Sequence, residues 1–181
     1  SNLPSAFDLS RLSIEVRDIY GKGAKATASK QTAKTVADGN WNDASIWEGA
    51  ILPSNQSRVE INHQVTMDGI DAEVRSLLVS STNFTDASLS ISGASSLTVS
   101  AFLFVVGSDE DRDAFLTLNG DNTSLTVQND FQVRRLHDSD QVFFEMNDDS
   151  QLDIGGDFLF TADEYSKQSG STTSSPSLNI G

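Results

Sequence analysis

A chain of 181 residues with 26 acidic and 12 basic side chains has a formal net charge of −14, which disfavours nucleic acid and anionic membrane surfaces as partners. It has no cysteine, so a disulfide framework, a cysteine zinc site and a cysteine nucleophile are excluded. No apolar run is long enough to span a bilayer, and the length is enough to bury a core as one elongated domain.

Residues 1–37 fit no repeat and read as an N-terminal arm or linker. Leu9, Leu12, Val16 and Ile19 fall at helical spacing, with Asp8 as N-cap and Gly21 as stop. Leu12, Ile14 and Val16 also alternate as in a strand; the helix is the preferred reading. Gly21 to Thr35 is small and basic, with Lys22, Lys25, Lys30 and Lys34. It reads as a flexible linker, or as an arm (residues 1–35) that docks on an acidic neighbour such as a second copy.

Residues 38–72 hold the two tryptophans and the first strands. The text runs Gly39-Asn40-Trp41-Asn42-Asp43-Ala44-Ser45-Ile46-Trp47, then Leu52-Pro53, then Val59-Glu60-Ile61 and Val65-Thr66-Met67-Asp68. It resembles the opening of G8-like segments in secreted and surface proteins, whose pattern is G-x-W-x-D-x-x-x-W, a loop with V-P, then a strand pair. Ile46 stands where that pattern has Thr, and Leu52 where it has Val. The resemblance covers about residues 38–106 and implies a right-handed parallel β-helix in an exported protein. The residues themselves suggest a cap: a solenoid exposes an apolar cross-section at its end, and Trp41 and Trp47 stand just before the first ladder. An exposed indole plane would also suit a pyranose ring, so both are candidate carbohydrate-binding residues with surface glycans as partners.

Residues 73–181 repeat. Ser96-Leu97-Thr98-Val99 returns as Ser124-Leu125-Thr126-Val127 and, altered, as Gln151-Leu152-Asp153-Ile154, at intervals of 28 and 27 residues. Each copy is followed by an apolar run opening on Phe102, Phe131 or Phe158. Turn residues such as Asn119-Gly120-Asp121-Asn122 separate the segments. Three short alternating segments in about 27 residues predict one coil of a single-stranded parallel β-helix, three strands per coil. A two-sheet sandwich also uses short strands, but it has no reason to keep three registers at one period.

Three inward ladders are expected. A Leu ladder stacks Val65 and Met67, Leu97 and Val99, Leu125 and Val127, Leu152 and Ile154. A Phe ladder stacks Phe102 and Phe104, Phe131 and Val133, Phe158 and Phe160. A mixed ladder stacks Val59 and Ile61, Leu89 and Ile91, Leu116 and Leu118, Phe144 and Met146, Leu178 and Ile180. Phe115 and Phe143 then face outward as a small apolar stripe.

Loops are expected at one recurrent corner, at 80–87, 108–113, 137–140 and 161–176, which would make that corner the binding face. Asp109, Asp111 and Asp113 alternate there like the start of a calcium loop, and Asp138 and Asp140 should stack beside them. Weak Ca²⁺ binding is one reading; a solvated acidic loop relieved by Arg112 and Arg135 is the preferred one. No other cofactor is expected. Polysaccharide chemistry would need paired carboxylates or a base. The one tempting pair, Asp148-Asp149, sits in a turn, and His63 and His137 are isolated, so no catalytic residue is assigned. The Thr98 and Thr126 row, a start toward an ice-binding face, is ended by Asp153.

The last residues, Leu178-Asn179-Ile180-Gly181, read as a strand with no polar cap, so continuation of the chain or a second copy is expected to cover that end. The expected function is a non-catalytic structural or adhesive rod of an exported surface protein. A segment of a carbohydrate-active enzyme and a self-assembling filament subunit are the alternatives.

Overall fold

The computed structural model describes residues 31–82, 85–107, 112–136, 141–161 and 177–180. The expected helix near Leu9–Ile19 and most of the basic stretch after it lie outside these residues.

The described chain is a parallel β-solenoid. The first coil has β1 (Thr32–Lys34) and β2 (Gly39–Asn40), then two 3-10 turns, Ala44–Ile46 and Glu48–Ala50, in place of a third strand. Four complete three-strand coils follow. They are β3 (Arg58–Ile61), β4 (Gln64–Asp68) and β5 (Asp71–Val74), then β6 (Ser76–Ser80), β7 (Ala87–Ser92) and β8 (Ser96–Val99). Next come β9 (Leu103–Gly107), β10 (Ala114–Asn119) and β11 (Ser124–Val127), then β12 (Phe131–Arg135), β13 (Val142–Asn147) and β14 (Gln151–Ile154). β15 (Phe158–Thr161) and β16 (Ser177–Ile180) belong to the last coil. With β1 already a strand of the solenoid, the coils begin before residue 38.

Three parallel sheets form the walls. The Phe wall runs β1-β3-β6-β9-β12-β15, the mixed wall β2-β4-β7-β10-β13, and the Leu wall β5-β8-β11-β14-β16. Strict alternation puts every second side chain inside: β7 and β13 alternate buried and half-buried residues along their whole length, and β10 does so up to its exposed last residue, Asn119. Leu97, Leu125 and Leu152 occupy successive tiers of one wall. All three are buried. Burying each such side chain contributes about 1.5–3 kcal/mol. Phe131 meets Phe144 edge-on at 5.3 Å and Phe158 at 5.1 Å, so aromatic rings fill the core where the Phe wall faces the mixed wall.

Four expectations about the ladders are corrected. Phe102 is 37% exposed and Phe104 is half-buried; the inward residues of β9 are Leu103 and Val105, in register with Phe131 and Val133. Val65 and Met67 belong to the mixed wall beside Leu89 and Ile91, and the first tier of the Leu wall is Ala72 and Val74. Val59 and Ile61 pair with Leu77 and Val79 in the Phe wall. Leu178 and Ile180 pair with Leu152 and Ile154 in the Leu wall, 26 residues on, and do not extend the tier of Phe144. Unequal corners between walls account for Val59, Ile61, Val65 and Met67, whereas Phe102 and Phe104 sit in a segment that alternates equally well in two registers.

A buried hydroxyl precedes each copy of the Leu tetrad: Ser95, Thr123 and Ser150. Ser95 donates to the Ser92 carbonyl and accepts from the Ile70 N–H at 3.0 Å, and Thr123 donates to the Asn119 carbonyl at 3.1 Å. These bonds satisfy turn groups that the prism would otherwise bury unpaired.

Candidate functional sites

The acidic residues at the corners hold the coils to one another. At the corner between the Phe wall and the mixed wall, Asp86 accepts from the Asp113 N–H at 3.2 Å, and Asp113 accepts from the Gln141 N–H at 3.1 Å. Asp38 does the same for the Gln64 N–H at 2.8 Å. At the next corners Asp71 accepts from the Ser96 N–H at 3.2 Å and Oγ at 2.6 Å, and Asp130 accepts from the Asp157 N–H at 3.1 Å. In every case the carboxylate takes a backbone N–H of the following coil, a bond to a charged acceptor of the stronger kind. Arg112 approaches Asp86 at 3.8 Å with both side chains substantially exposed, a pairing of little energetic weight.

This bears on the candidate calcium loop. Asp113 is a corner-holding residue whose carboxylate is already engaged. Asp109, Asp111, Asp138 and Asp140 lie outside the described residues. Among the described residues no three His, Asp or Glu side chains converge as a metal site would require.

The tryptophan motif folds into a closed knot. Trp41 is 4% and Trp47 1% exposed, with ring centroids 5.2 Å apart and an interplanar angle of 75°. Trp47 Nε1 donates to the Trp41 carbonyl at 2.9 Å. Asp43 caps the first 3-10 turn, accepting from the Ser45 N–H at 2.9 Å and from Ser45 Oγ at 2.7 Å. The Ser45 hydroxyl, and then its N–H, hold the Asp43 carboxyl below its ordinary value. Gly39 is required because an added Cβ would lie 2.7 Å from an Ile46 methyl. Every letter of the motif thus has a packing role. The two rings are core, and neither presents a face for sugar stacking.

A groove of about 390 Å³ does lie beside this knot, between Trp41, Asn42 and the Leu52–Asn55 loop on one side and Ile70–Glu73 on the other. It runs along β5, the terminal strand of the Leu wall. Asn42, Asn55, Asp71 and Glu73 give it polar walls. Asp71 and Glu73 also bond to Ser96 and Ser100 of the next coil.

His63 is half-buried, and its Nδ1 lies 3.1 Å from Thr35 Oγ1, which also accepts from the Asn62 N–H at 2.9 Å. It fastens the first coil to the second. His137 lies outside the described residues. On the Leu wall the outward row reads Glu73, Thr98, Thr126, Asp153, so carboxylates bound the two threonines on both sides. Phe115 and Phe143 stand outward and half-buried, their rings stacked at 4.8 Å and 4°. The column of buried hydroxyls and the carboxylate bonds between coils were not anticipated. Their signal was present: Ser95, Thr123 and Ser150 keep the repeat interval, and Asp86 and Asp113 stand 27 residues apart. No helix among the described residues is long and apolar enough to cross a membrane. No protein-family model matches the chain, and the searches of curated proteins and of solved structures gave no significant match.

Proposed function

We propose that this chain is a non-catalytic structural or adhesive segment of an exported surface protein, a stiff acidic solenoid that presents side loops at one corner. One observation carries the reading. Asp38, Asp71, Asp86, Asp113 and Asp130, the carboxylates at the corners where an acid or base would be sought, each hold the backbone of the next coil. Groups fixed in that role lose their bond when protonated or displaced, which suits a scaffold and not a reacting site. The acidic composition supports export, and the likeness of residues 38–106 to G8-like segments points the same way. The test is a panel of acidic and neutral polysaccharides, assayed for new reducing ends and unsaturated products. No turnover is expected; turnover of one substrate would overturn the reading.

A second reading, a carbohydrate-binding segment of a β-helix enzyme, is favoured by the groove along β5, lined by both polar and apolar side chains. Glycan-array binding that is lost in Asn42→Ala and Glu73→Ala would support it.

A further inference from the structure

The described cations are gathered on one side of an acidic molecule. Lys34, Arg58, Arg75, Arg134 and Arg135 lie on the Phe wall or at its leading edge, where they outnumber the carboxylates Glu60, Asp130 and Asp157, and Arg112 is the one other Lys or Arg among the described residues. The outer face of this wall is also its most apolar. One outward row reads Lys34, Glu60, Leu78, Phe104, Gln132, Leu159. Phe102 stands beside Phe104 with rings 5.1 Å apart, and Leu159 is 45% exposed. Outward aromatic and aliphatic side chains on neighbouring strands of a solvent-facing sheet mark an interaction surface.

The mixed wall carries the complement. Its outward row is Gln64, Ser88, Phe115, Phe143, ending in the stacked aromatic pair. The next row ends in Glu145, Asp68 closes β4, and Asp121 and Asp149 lie in the turn beyond. No Lys or Arg lies on this wall's described strands. The two walls meet through Phe131 and Phe144 across the core, so their outer faces point away from each other.

From this pairing of faces we propose that the Phe wall of one copy docks on the mixed wall of a second copy, side by side. The proposal rests on the structural reading above and names its partner. Two different faces make the contact heterologous, so each added copy leaves one face of each kind open and association continues beyond a dimer. The net charge of −14 per copy opposes random association and leaves the cationic wall as the face on which an acidic copy is accepted. Six strands at about 4.8 Å and a strand length of about 16 Å give a face of roughly 400 Å², half the usual share of one partner, so a single contact is weak.

Sedimentation velocity of the full chain from micromolar to near-millimolar concentration tests it. Wild type should gain mass with concentration without reaching a plateau. Phe104→Asp blocks one face and Phe143→Asp the other, so each variant alone should remain monomeric. An equimolar mixture has one intact face of each kind and should stop at dimers. Circular dichroism checks that both variants fold; should either fail, Arg134→Glu replaces the first and Glu145→Lys the second. A wild type that stays monomeric, association untouched by the substitutions, or a mixture that does not recover dimers would each overturn the proposal. A monomer without polysaccharide turnover would remove this inference alone, whereas turnover would remove the structural reading whatever the assembly state.

Discussion

From Leu77 to Leu103 to Phe131 to Phe158 the chain climbs one tier of the Phe wall in 26, 28 and 27 residues. From Val59 to Leu77 it climbs one tier in 18. The difference lies in the corners. The later coils carry a loop between the Phe wall and the mixed wall, while the coil starting at β3 crosses with Asn62 and His63 alone. That tight corner is fastened to the coil before it by Thr35 and roofed by Thr85, whose hydroxyl donates to the Asn62 carbonyl at 2.7 Å. The later coils therefore derive order from repetition of identical tiers. The first two derive it from bonds made once, between side chains that have no counterpart elsewhere. Loops added at a corner cost little closure entropy, which is why period can vary while the walls stay in register.

The largest effect expected from this contrast is at the tryptophan knot. Trp47→Ala removes a fully buried indole and the bond to the Trp41 carbonyl, and should cost about 3–5 kcal/mol in urea unfolding. Trp47→Phe keeps most of the volume and should recover the greater part of that loss. In a solenoid each coil touches only its neighbours, so hydrogen exchange should quicken first at β1 and β3. A cost under about 1 kcal/mol would show that the tryptophan knot is not what closes this end.

Leu125→Ala probes the repeated part. It empties a site between Leu97 and Leu152 in the middle of the Leu wall and should cost about 2–5 kcal/mol. Its exchange signature should spread both ways, to β8 and β14, where that of Trp47→Ala spreads one way. Identical patterns for the two variants would mean that the molecule unfolds as one unit and that the contrast between its parts has no energetic content.

How much could be read beforehand follows the same division. Leu97, Leu125 and Leu152 were legible because the tetrad recurs once unchanged, keeps its two apolar positions in the third copy, and follows turns of similar length. Phe102-Leu103-Phe104-Val105 alternates equally well in two registers, and the larger apolar area of the aromatic side chains favours the wrong one. The corner decides: Val99 to Leu103, Val127 to Phe131 and Ile154 to Phe158 each enclose three residues, so Leu103 is the inward one. Val59, Ile61, Val65 and Met67 went to the wrong walls because a constant period was imposed on a coil of 18 residues. Nothing local announces that a loop is missing. The tryptophan motif suggested a cap by its position; what the structure shows is that both rings are buried, and that burial depends on Ile46 and on packing across coils, which a linear pattern does not contain.

Asp113 separates a corner carboxylate that binds a neighbour from one that merely faces water. Asp113→Ala removes the acceptor for the Gln141 N–H, and the expected loss is about 0.5–1.5 kcal/mol. Asp113→Asn keeps an acceptor oxygen and should lose less. Millimolar calcium should leave the thermal midpoint difference between wild type and Asp113→Ala unchanged if the backbone bond is the whole role. A calcium-dependent difference would instead make Asp113 a ligand.

The smallest effect is at Asp43, and its pH dependence gives it a distinct signature. Ser45 holds the Asp43 carboxyl below its ordinary value of 3.8 in the folded chain. A depressed folded value means that the unfolded chain binds the proton more readily, so the stabilisation is fully present above 3.8 and is lost as pH falls through the folded value. Asp43→Ala should therefore melt slightly below wild type at neutral pH, with a gap that closes on acidification beneath 3.8. Asp43→Asn retains a cap acceptor without a titrating group, so its own contribution at this site should not vary with acid. Because Asp43 lies wholly in the first coil and caps a turn without a counterpart among the described residues, the gap belongs to the once-made bonds of the tryptophan knot. A gap that widened on acidification would mean that the Ser45 bonds do not favour the ionised form, and that the 3-10 turn is held by Ile46 and the indoles alone.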